Sequence, residues 1–181
     1  MSRKLRIGVV MDPIASIKPY KDTTLALMLA AQARGWALEY LESGGLMVDR
    51  GQAWGRMRAV RVQDDRQHWF DWDGESRLAP LRELDAILMR VDPPFDMNYI
   101  SSTYVLERAQ AEGVSVFNRP QSLRDCNEKL YTAWFPELAP PTLFARDTSR
   151  LRAFHAEHGD VIYKPLDGMG GSGIFRVASD G

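Results

Sequence analysis

A glycine-rich segment near the end of the sequence has the composition of a phosphate-binding loop. Residues 161–165 and 174–177 are rich in β-branched and aromatic side chains, which predicts two short strands. Between them, residues 166–173 include four glycines. Glycines let backbone N–H groups approach the oxygens of a polyphosphate, and Lys164 places an ammonium group before the loop. The segment therefore predicts a flexible flap that closes over a nucleotide.

The glycine spacing also permits other interpretations. Gly168, Gly170 and Gly173 match the G-x-G-x-x-G of dinucleotide-binding proteins, but that fingerprint requires a helix directly after the loop. Here the following residues are strand-like, and no Gly-Lys-Ser/Thr of a P-loop is present. Protein kinases place a glycine flap between two strands, although their catalytic-loop and metal-binding signatures are absent from this sequence. An ordinary flexible hairpin is the remaining alternative.

Polar residues at the ends of three apolar runs form a second candidate site. Ligands of open α/β sheets bind beyond the carboxyl ends of the strands. The planar fork of an arginine at such an end suits a carboxylate. Each of these residues also fits an ordinary turn or cap. Together they predict a site for a polar, carboxylate-bearing substrate, and they are Asp12, Arg90, Asp92 and Asn118.

The elements that position these residues follow the pattern of an α/β protein. Continuous apolar runs predict strands buried on both faces, as in a parallel sheet, while alternating segments predict antiparallel hairpins at its edge. Asp22 is placed to cap the first helix, and Gly35 to end it. The predicted elements are strands at 5–11, 36–41, 86–90 and 114–117, helices at 23–34 and 99–112, and hairpins between 46 and 78.

The remaining residues predict a second region of the type β-α-β-β. We expect one or two helices over 122–135 and a new strand at 142–145, after the Pro140-Pro141 pair. A helix capped by Thr148 or Ser149 is predicted to run to residue 158. The two strands around the glycine flap then complete the region.

Composition excludes several classes of protein. The 23 Lys and Arg against 24 Asp and Glu give a net charge of −1, so no basic field is available to gather nucleic acid. Apolar stretches are too short to span a membrane, and no signal-peptide core is visible. The single Cys126 fits a reducing compartment and is expected to be buried. The sequence predicts a cytoplasmic protein that binds neither nucleic acid nor membrane.

Four extended segments, in order along the whole chain, resemble a single enzyme family. They are similar to segments of the bacterial glutathione synthetases, which belong to the ATP-grasp ligases. Four matches of this length are far more specific than the glycine loop alone. The segments are VMDPI at 10–14, ILMRVDPPFD at 87–96, PQSLRDCNEKL at 120–130 and KPLDGMGG at 164–171.

The resemblance implies a fold and a division of the chain. Residues 1–122 would form an open, mostly parallel, Rossmann-like domain that precedes the ATP-grasp domain and binds substrate. Residues 123–181 would form the first part of the α+β ATP-grasp domain, with its glycine-rich flap.

The resemblance also implies a reaction, in which ATP, γ-glutamylcysteine and glycine give glutathione, ADP and phosphate through an acyl phosphate. Because a carboxylate is a poor electrophile and three anionic groups must meet, such a site needs cations and a lid that excludes water. Asp12, Arg90, Asp92 and Asn118 would face the peptide, and no catalytic residue is assigned. The implied ATP-binding residues are Lys129, Lys164, Gly168, Met169, Gly170, Gly171, Ser172 and Gly173.

The sequence departs from the family's pattern by lacking its second half. That half carries the ligands for Mg²⁺, so ATP and Mg²⁺ are the implied cofactors but no metal ligand is expected among these residues. We expect a truncated product or fragment with little ligase activity by itself, from a family whose complete enzymes are homo-oligomers.

Three alternatives remain open at this point. One is a different ATP-grasp ligase that joins another carboxylate to an amine, and a second is a non-catalytic α/β module for binding or assembly. A dehydrogenase is the most distant, because a strand follows the flap where a dinucleotide-binding helix would be required.

Overall fold

The computed structural model of the protein describes residues 4–166 and 171–180, and the chain divides into two compact units, Met1–Arg124 and Asp125–Gly181. The first unit is an α/β sheet with helices. Its strands are β1 (Arg6–Met11), β2 (Ala37–Leu41), β3 (Leu46–Asp49), β4 (Gln52–Val62), β5 (Phe70–Trp72), β6 (Arg77–Pro80), β7 (Ala86–Arg90) and β8 (Ser115–Phe117), and its helices are α1 (Thr23–Ala33), α2 (Met97–Ala111) and α3 (Pro120–Asp125).

The sheet has a parallel centre and an antiparallel edge. Its strand order is β3-β4-β2-β1-β7-β8, with β5 and β6 also paired to β4. The pairs β1–β2, β1–β7 and β7–β8 are parallel, whereas β4 pairs antiparallel with β2, β3, β5 and β6. Both the predicted parallel sheet and the predicted antiparallel hairpins between residues 46 and 78 are therefore confirmed.

The two faces of the sheet carry separate hydrophobic cores. Val9 and Val10 are neighbours in β1 and both are fully buried, yet they belong to different clusters of core residues. Leu25 of α1 packs with Val9, and Leu106 of α2 packs with Val10. Because successive strand residues point to opposite faces, α1 and α2 cover opposite sides of the sheet. The continuous apolar run at 5–11 is explained by this burial on both faces.

Local signals account for the helix boundaries, as predicted for Asp22 and Gly35 of α1, while α2 begins two residues before its predicted start. Asp22 caps α1 by accepting a hydrogen bond from Leu25 N at 2.7 Å, and Asp96 caps α2 by accepting one from Tyr99 N at 2.9 Å. Gly35 and Gly113 lie just past the two helix ends with φ of +74° and +101°, a conformation that glycine adopts without strain.

An ion-pair cluster joins the parallel strands to the antiparallel edge. Glu39 of β2 is buried, and its Oε1 accepts from Arg6 Nη2 at 2.7 Å and from Arg77 Nη2 at 3.1 Å. Both arginines also reach Glu83 Oε2. The two charged donors compensate Oε1 of the buried carboxylate, whereas its Oε2 is buried without a hydrogen-bond partner among the described residues.

The second unit consists of α4 (Thr148–His158), β9 (Val161–Tyr163) and β10 (Phe175–Val177), with irregular segments and short 3-10 turns. Strands β9 and β10 pair antiparallel, with Phe175 opposite Tyr163. The predicted arrangement of strand, loop and strand is therefore confirmed. A strand directly follows the loop, which agrees with rejecting a dinucleotide-binding interpretation.

Several predictions for this region were wrong. Residues 142–145 are not a strand, because a strand needs a hydrogen-bonding partner and the described residues supply none there. Helix α3 ends at Asp125, and only a 3-10 turn at Tyr131–Trp134 follows in the range predicted as helix. The N-cap of α4 is Asp147, one residue before the predicted candidates, and Cys126 is exposed. No helix among the described residues is long and apolar enough to cross a membrane.

Candidate functional site

A cleft lies at the carboxyl ends of β1 and β7, where the chain leaves for opposite faces of the sheet. It has a volume of about 270 Å³. The crevice between two such strands is where open α/β sheets bind ligands. Its apolar walls come from Met11, Val91 and three prolines, and its polar lining residues are Asp12, Glu42, Ser43, Asp92, Asp96, Asn98 and Tyr99.

Two of the predicted site residues meet in this cleft. Asp12 directly follows β1, and its Oδ2 accepts a hydrogen bond from the backbone N–H of Asp92 at 2.9 Å. This bond ties the segment after β7 to the end of β1, across 80 residues of sequence. Through Oδ2, Asp12 therefore helps to hold in place the segment after β7 that lines the cleft.

The cleft is acidic. It is lined by four carboxylates, and among the described residues no lysine, arginine or histidine lines it. Glu42 accepts a hydrogen bond from Tyr40 Oη at 2.5 Å; burial, followed by this bond, raises the pKa of that phenol. Burial likewise raises the pKa of Tyr99, against the opposing charge of Arg90. Both tyrosines therefore stay neutral at pH 7, and the cleft favours a cationic group over an anionic one.

Arg90 lies beside the cleft and not in its lining. It is the last residue of β7, is opposite Met11 of β1 in the sheet register, and is exposed. Its Nε donates to the Oγ1 of the buried Thr24 at 3.1 Å. Its charge acts on the phenol of Tyr99, which lines the cleft. A cation and a set of carboxylates are thus adjacent at the ends of the two central strands.

Asn118 is separate from this arrangement. It follows β8, one strand further along the sheet, and is exposed outside the lining of the cleft. Sequence reasoning missed Glu42, Asp96 and Tyr99. Glu42 directly follows β2, so applying the strand-end rule to that strand as well would have found it.

The second unit carries the other candidate site. Lys129 Nζ forms an ion pair with Glu128 at 2.9 Å and lies 3.5 Å from the carbonyl oxygen of Leu166, which begins the glycine-rich loop. Lys164 is exposed. Lys129 and the loop are therefore close together within this unit, although they are 37 residues apart in sequence.

Part of the loop is described. Gly171 and Gly173 have φ of +85° and +68°, and a Cβ on Gly173 would lie 3.2 Å from Pro165 Cγ. This backbone favours glycine at both positions. Ser172 is exposed between them. The other three predicted ATP-binding residues of the loop, Gly168, Met169 and Gly170, lie outside the described residues.

The hairpin below the loop is held by polar contacts. Asp160 accepts from Arg176 Nη2 at 2.5 Å, and this hydrogen bond lowers the pKa of Asp160 below its ordinary 3.8. His155 of α4 also contacts the carbonyl oxygen of Ala178 at 2.9 Å. The first contact joins β10 to the residue before β9, and the second joins α4 to the residue after β10.

Acid is expected to release the Asp160–Arg176 pair. Because the pKa of Asp160 is depressed in the folded state, the pair is fully present above pH 3.8 and is lost as the pH falls through the lowered pKa. Amide chemical shifts of residues 175–177 should therefore change with a midpoint below 3.8, and Asp160→Asn should abolish that transition. A midpoint at or above 3.8 would contradict the assignment.

The described residues do not group as a metal site. Among residues 4–166 and 171–180, no three His, Cys, Asp or Glu side chains are arranged to hold a metal ion.

Two family models match nearly the whole chain. Residues 5–124 match the N-terminal domain of prokaryotic glutathione synthetase, and residues 128–181 match the ATP-grasp domain of the same enzyme.

Curated relatives agree with the family models. The chain is 56% identical over 176 residues to a glutathione synthetase of Yersinia pestis, covering 97% of this chain and 55% of that protein. It is 56% identical over 172 residues to a glutathione synthetase of Pseudomonas putida, covering 95% of this chain and 54% of the relative. The chain thus spans about half the length of the curated relatives it matches.

Solved structures support the fold. The D-alanyl-alanine synthetase A of Vibrio cholerae aligns with a TM-score of 0.52 at 13% identity, covering 98% of this chain and 53% of the other. An ATP-grasp ligase, PsnB, complexed with a phosphomimetic precursor variant, Mg and ADP, aligns with a TM-score of 0.52 at 19% identity, covering 96% of this chain and 58% of that one. These two structures share the fold; the resemblance to the bacterial glutathione synthetases stated from sequence is confirmed by the family models and the curated relatives.

Proposed function

Because the chain belongs to the prokaryotic glutathione synthetase family, we propose that it serves the ATP-dependent ligation of γ-glutamylcysteine to glycine. The observation that carries this proposal is the match of both regions of the chain, in order, to the two domains of one enzyme family. A different carboxylate–amine ligase is not favoured, since the curated relatives at 53–56% identity are glutathione synthetases.

We propose a division of work between two parts of the chain. Residues 1–122 bind the peptide, and residues 123–181 begin the ATP-grasp domain. The first compact unit of the structure ends at residue 124, within α3, which lies between the residues of the two candidate sites in sequence.

The charges beside β1 and β7 suit the two ends of an amino acid. In this proposal Arg90 takes a carboxylate of γ-glutamylcysteine, because its planar fork matches that group. The neighbouring carboxylates of Asp12 and Asp92 take the ammonium group. A carboxylate inside the cleft would be repelled by its four acids. Charge therefore orients the peptide with its ammonium group in the cleft and its carboxylate at Arg90. The assignment of Asn118 to the substrate stays a prediction, and this residue lies outside the lining of the cleft.

ATP is assigned to the second unit. Lys129 and Lys164 would bind its phosphates as point charges, and the loop residues Gly168, Met169, Gly170, Gly171, Ser172 and Gly173 would close over them. The position of Lys129 next to Leu166 supports this assignment, since it places the ammonium at the entrance of the loop. When ATP binds, the ammonium group of Lys129 would leave the carboxylate of Glu128 and pair with a phosphate oxygen instead.

The proposed chemistry proceeds in two transfers. An oxygen of the cysteinyl carboxylate attacks the γ-phosphorus of ATP, and the bond to ADP breaks. The glycine nitrogen then attacks the acyl carbon of the acyl phosphate, releasing phosphate and the proton of the amine. Mg²⁺ supplies charge neutralisation of the phosphates when bound, and we assign it no ligand within the described residues. We also propose that the protein acts in the cytoplasm and as a homo-oligomer.

Ligand specificity tests this proposal directly. γ-Glutamylcysteine should raise the melting temperature of the chain, while dialanine and glutamate-tailed peptides at equal concentration should not. Stabilisation by dialanine alone would favour the alternative ligase. Phosphate release from ATP and Mg²⁺ that requires both γ-glutamylcysteine and glycine would exclude the non-catalytic alternative.

A further inference from the structure

Thr24 is a buried polar residue at the start of α1 that contacts the last residue of β7. Its residue exposure is 5%, and its Oγ1 accepts a hydrogen bond from Arg90 Nε at 3.1 Å. Helix α1 leaves β1, and Arg90 ends β7, so this one bond joins two elements that are 66 residues apart in sequence. Asp22 already caps the helix through Leu25 N, and Thr24 is not needed as its cap.

The bond limits how Arg90 can present its charge. A guanidinium receives a carboxylate in two bidentate ways, through Nε with one terminal nitrogen or through both terminal nitrogens. Because Thr24 occupies Nε, only the second way remains. Among the described contacts, none is made by Nη1 or Nη2 of Arg90. The Arg90 side chain is thus held at Nε, and its two terminal nitrogens are available to a ligand.

Holding the Arg90 guanidinium in one orientation matters because the neighbouring cleft is acidic. Arginine has several rotatable bonds, and holding its side chain in one rotamer costs conformational entropy that a bound substrate would otherwise have to offset. An unfixed guanidinium beside four carboxylates would also turn to pair with one of them. No ion pair of Arg90 is present among the described residues. The hydroxyl of Thr24 holds Nε without neutralising the charge.

We propose that Thr24 is the positioning residue of Arg90, holding the guanidinium end-on for a carboxylate of the peptide substrate and keeping it from pairing with the acids of the cleft. This proposal rests on the proposed function. Thr24 itself does not contact the substrate and acts only through Arg90.

Two variants separate the hydroxyl from the shape of the side chain. Thr24→Val keeps the β-branched volume and helix preference but lacks the hydroxyl, whereas Thr24→Ser keeps the hydroxyl. Titration of the chain with γ-glutamylcysteine should give a Kd about five- to tenfold higher for Thr24→Val and within about twofold of the original for Thr24→Ser. The melting temperature of each unliganded variant controls for folding.

A double-mutant cycle tests whether Thr24 acts through Arg90. In an Arg90→Met background, Thr24→Val should not change the Kd further, because the group it positions is gone. The ¹⁵N side-chain spectrum reports the contact without any ligand: the Arg90 Nε–H should exchange with water more slowly in the original chain and in Thr24→Ser than in Thr24→Val.

The outcomes distinguish this inference from the proposed function. If the original chain binds no γ-glutamylcysteine, the proposed function fails at this site and the role of Thr24 fails with it. If the original chain binds the peptide and Thr24→Val binds it equally well, the proposed function stands and only the role of Thr24 is overturned. A weakening that persists in the Arg90→Met background would also overturn it.

Discussion

Replacing Arg90 by methionine is expected to weaken binding of γ-glutamylcysteine about 100-fold, which corresponds to about 2.7 kcal/mol. The substitution removes the cation and both terminal nitrogens while keeping most of the apolar stem. Arg90 ends β7 beside the cleft and its terminal nitrogens make no described contact, so its loss leaves the substrate carboxylate next to the acids of the cleft. The Kd from titration calorimetry measures the effect.

Two controls show whether the fork or the charge matters. Arg90→Lys keeps a positive charge but loses the planar pair of donors, and we expect a Kd about tenfold higher than that of the original chain. Arg66→Met removes an arginine from an exposed loop of the same unit and should leave the Kd unchanged. Equal Kd values for Arg90→Met and Arg66→Met would refute the assignment of Arg90 to the peptide.

Truncation of Ile87 to alanine is expected to lower the free energy of unfolding of the first unit by about 3–4 kcal/mol. Ile87 is fully buried in β7, directly between β1 and β8, and packs in the core under α2. Removing three carbon atoms there loses transfer free energy and leaves a cavity between the sheet and α2, which the packed core closes only in part. Urea unfolding followed by circular dichroism measures the change.

A graded pair of substitutions checks the cause. Ile87→Val removes a single methylene group and should lower the free energy of unfolding by about 1 kcal/mol. The cavity explanation fails if Val and Ala destabilise equally. Since Arg90 is three residues further along the same strand, the alanine variant should also weaken peptide binding when β7 loosens.

Local signals were sufficient for most elements of the first unit. The apolar run of β1, the cap at Asp22 and the glycines at 35 and 113 act within a few residues, so their effects are readable from sequence. In the second unit, the strands on either side of the flap were readable for the same reason. The strand predicted at 142–145 failed because β structure depends on a partner that sequence does not supply locally.

By itself, the sequence determined the family, the order of the main strands and helices of the first unit, and which residue types end the central strands. Only the tertiary structure decided which of those ends face one another. It joined Asp12 to Asp92 and Thr24 to Arg90, added Glu42 and Asp96 to the cleft, and left Asn118 outside it. The physical reason is that strand register and the opposite paths of α1 and α2 depend on burial across the whole sheet, which acts between residues dozens of positions apart.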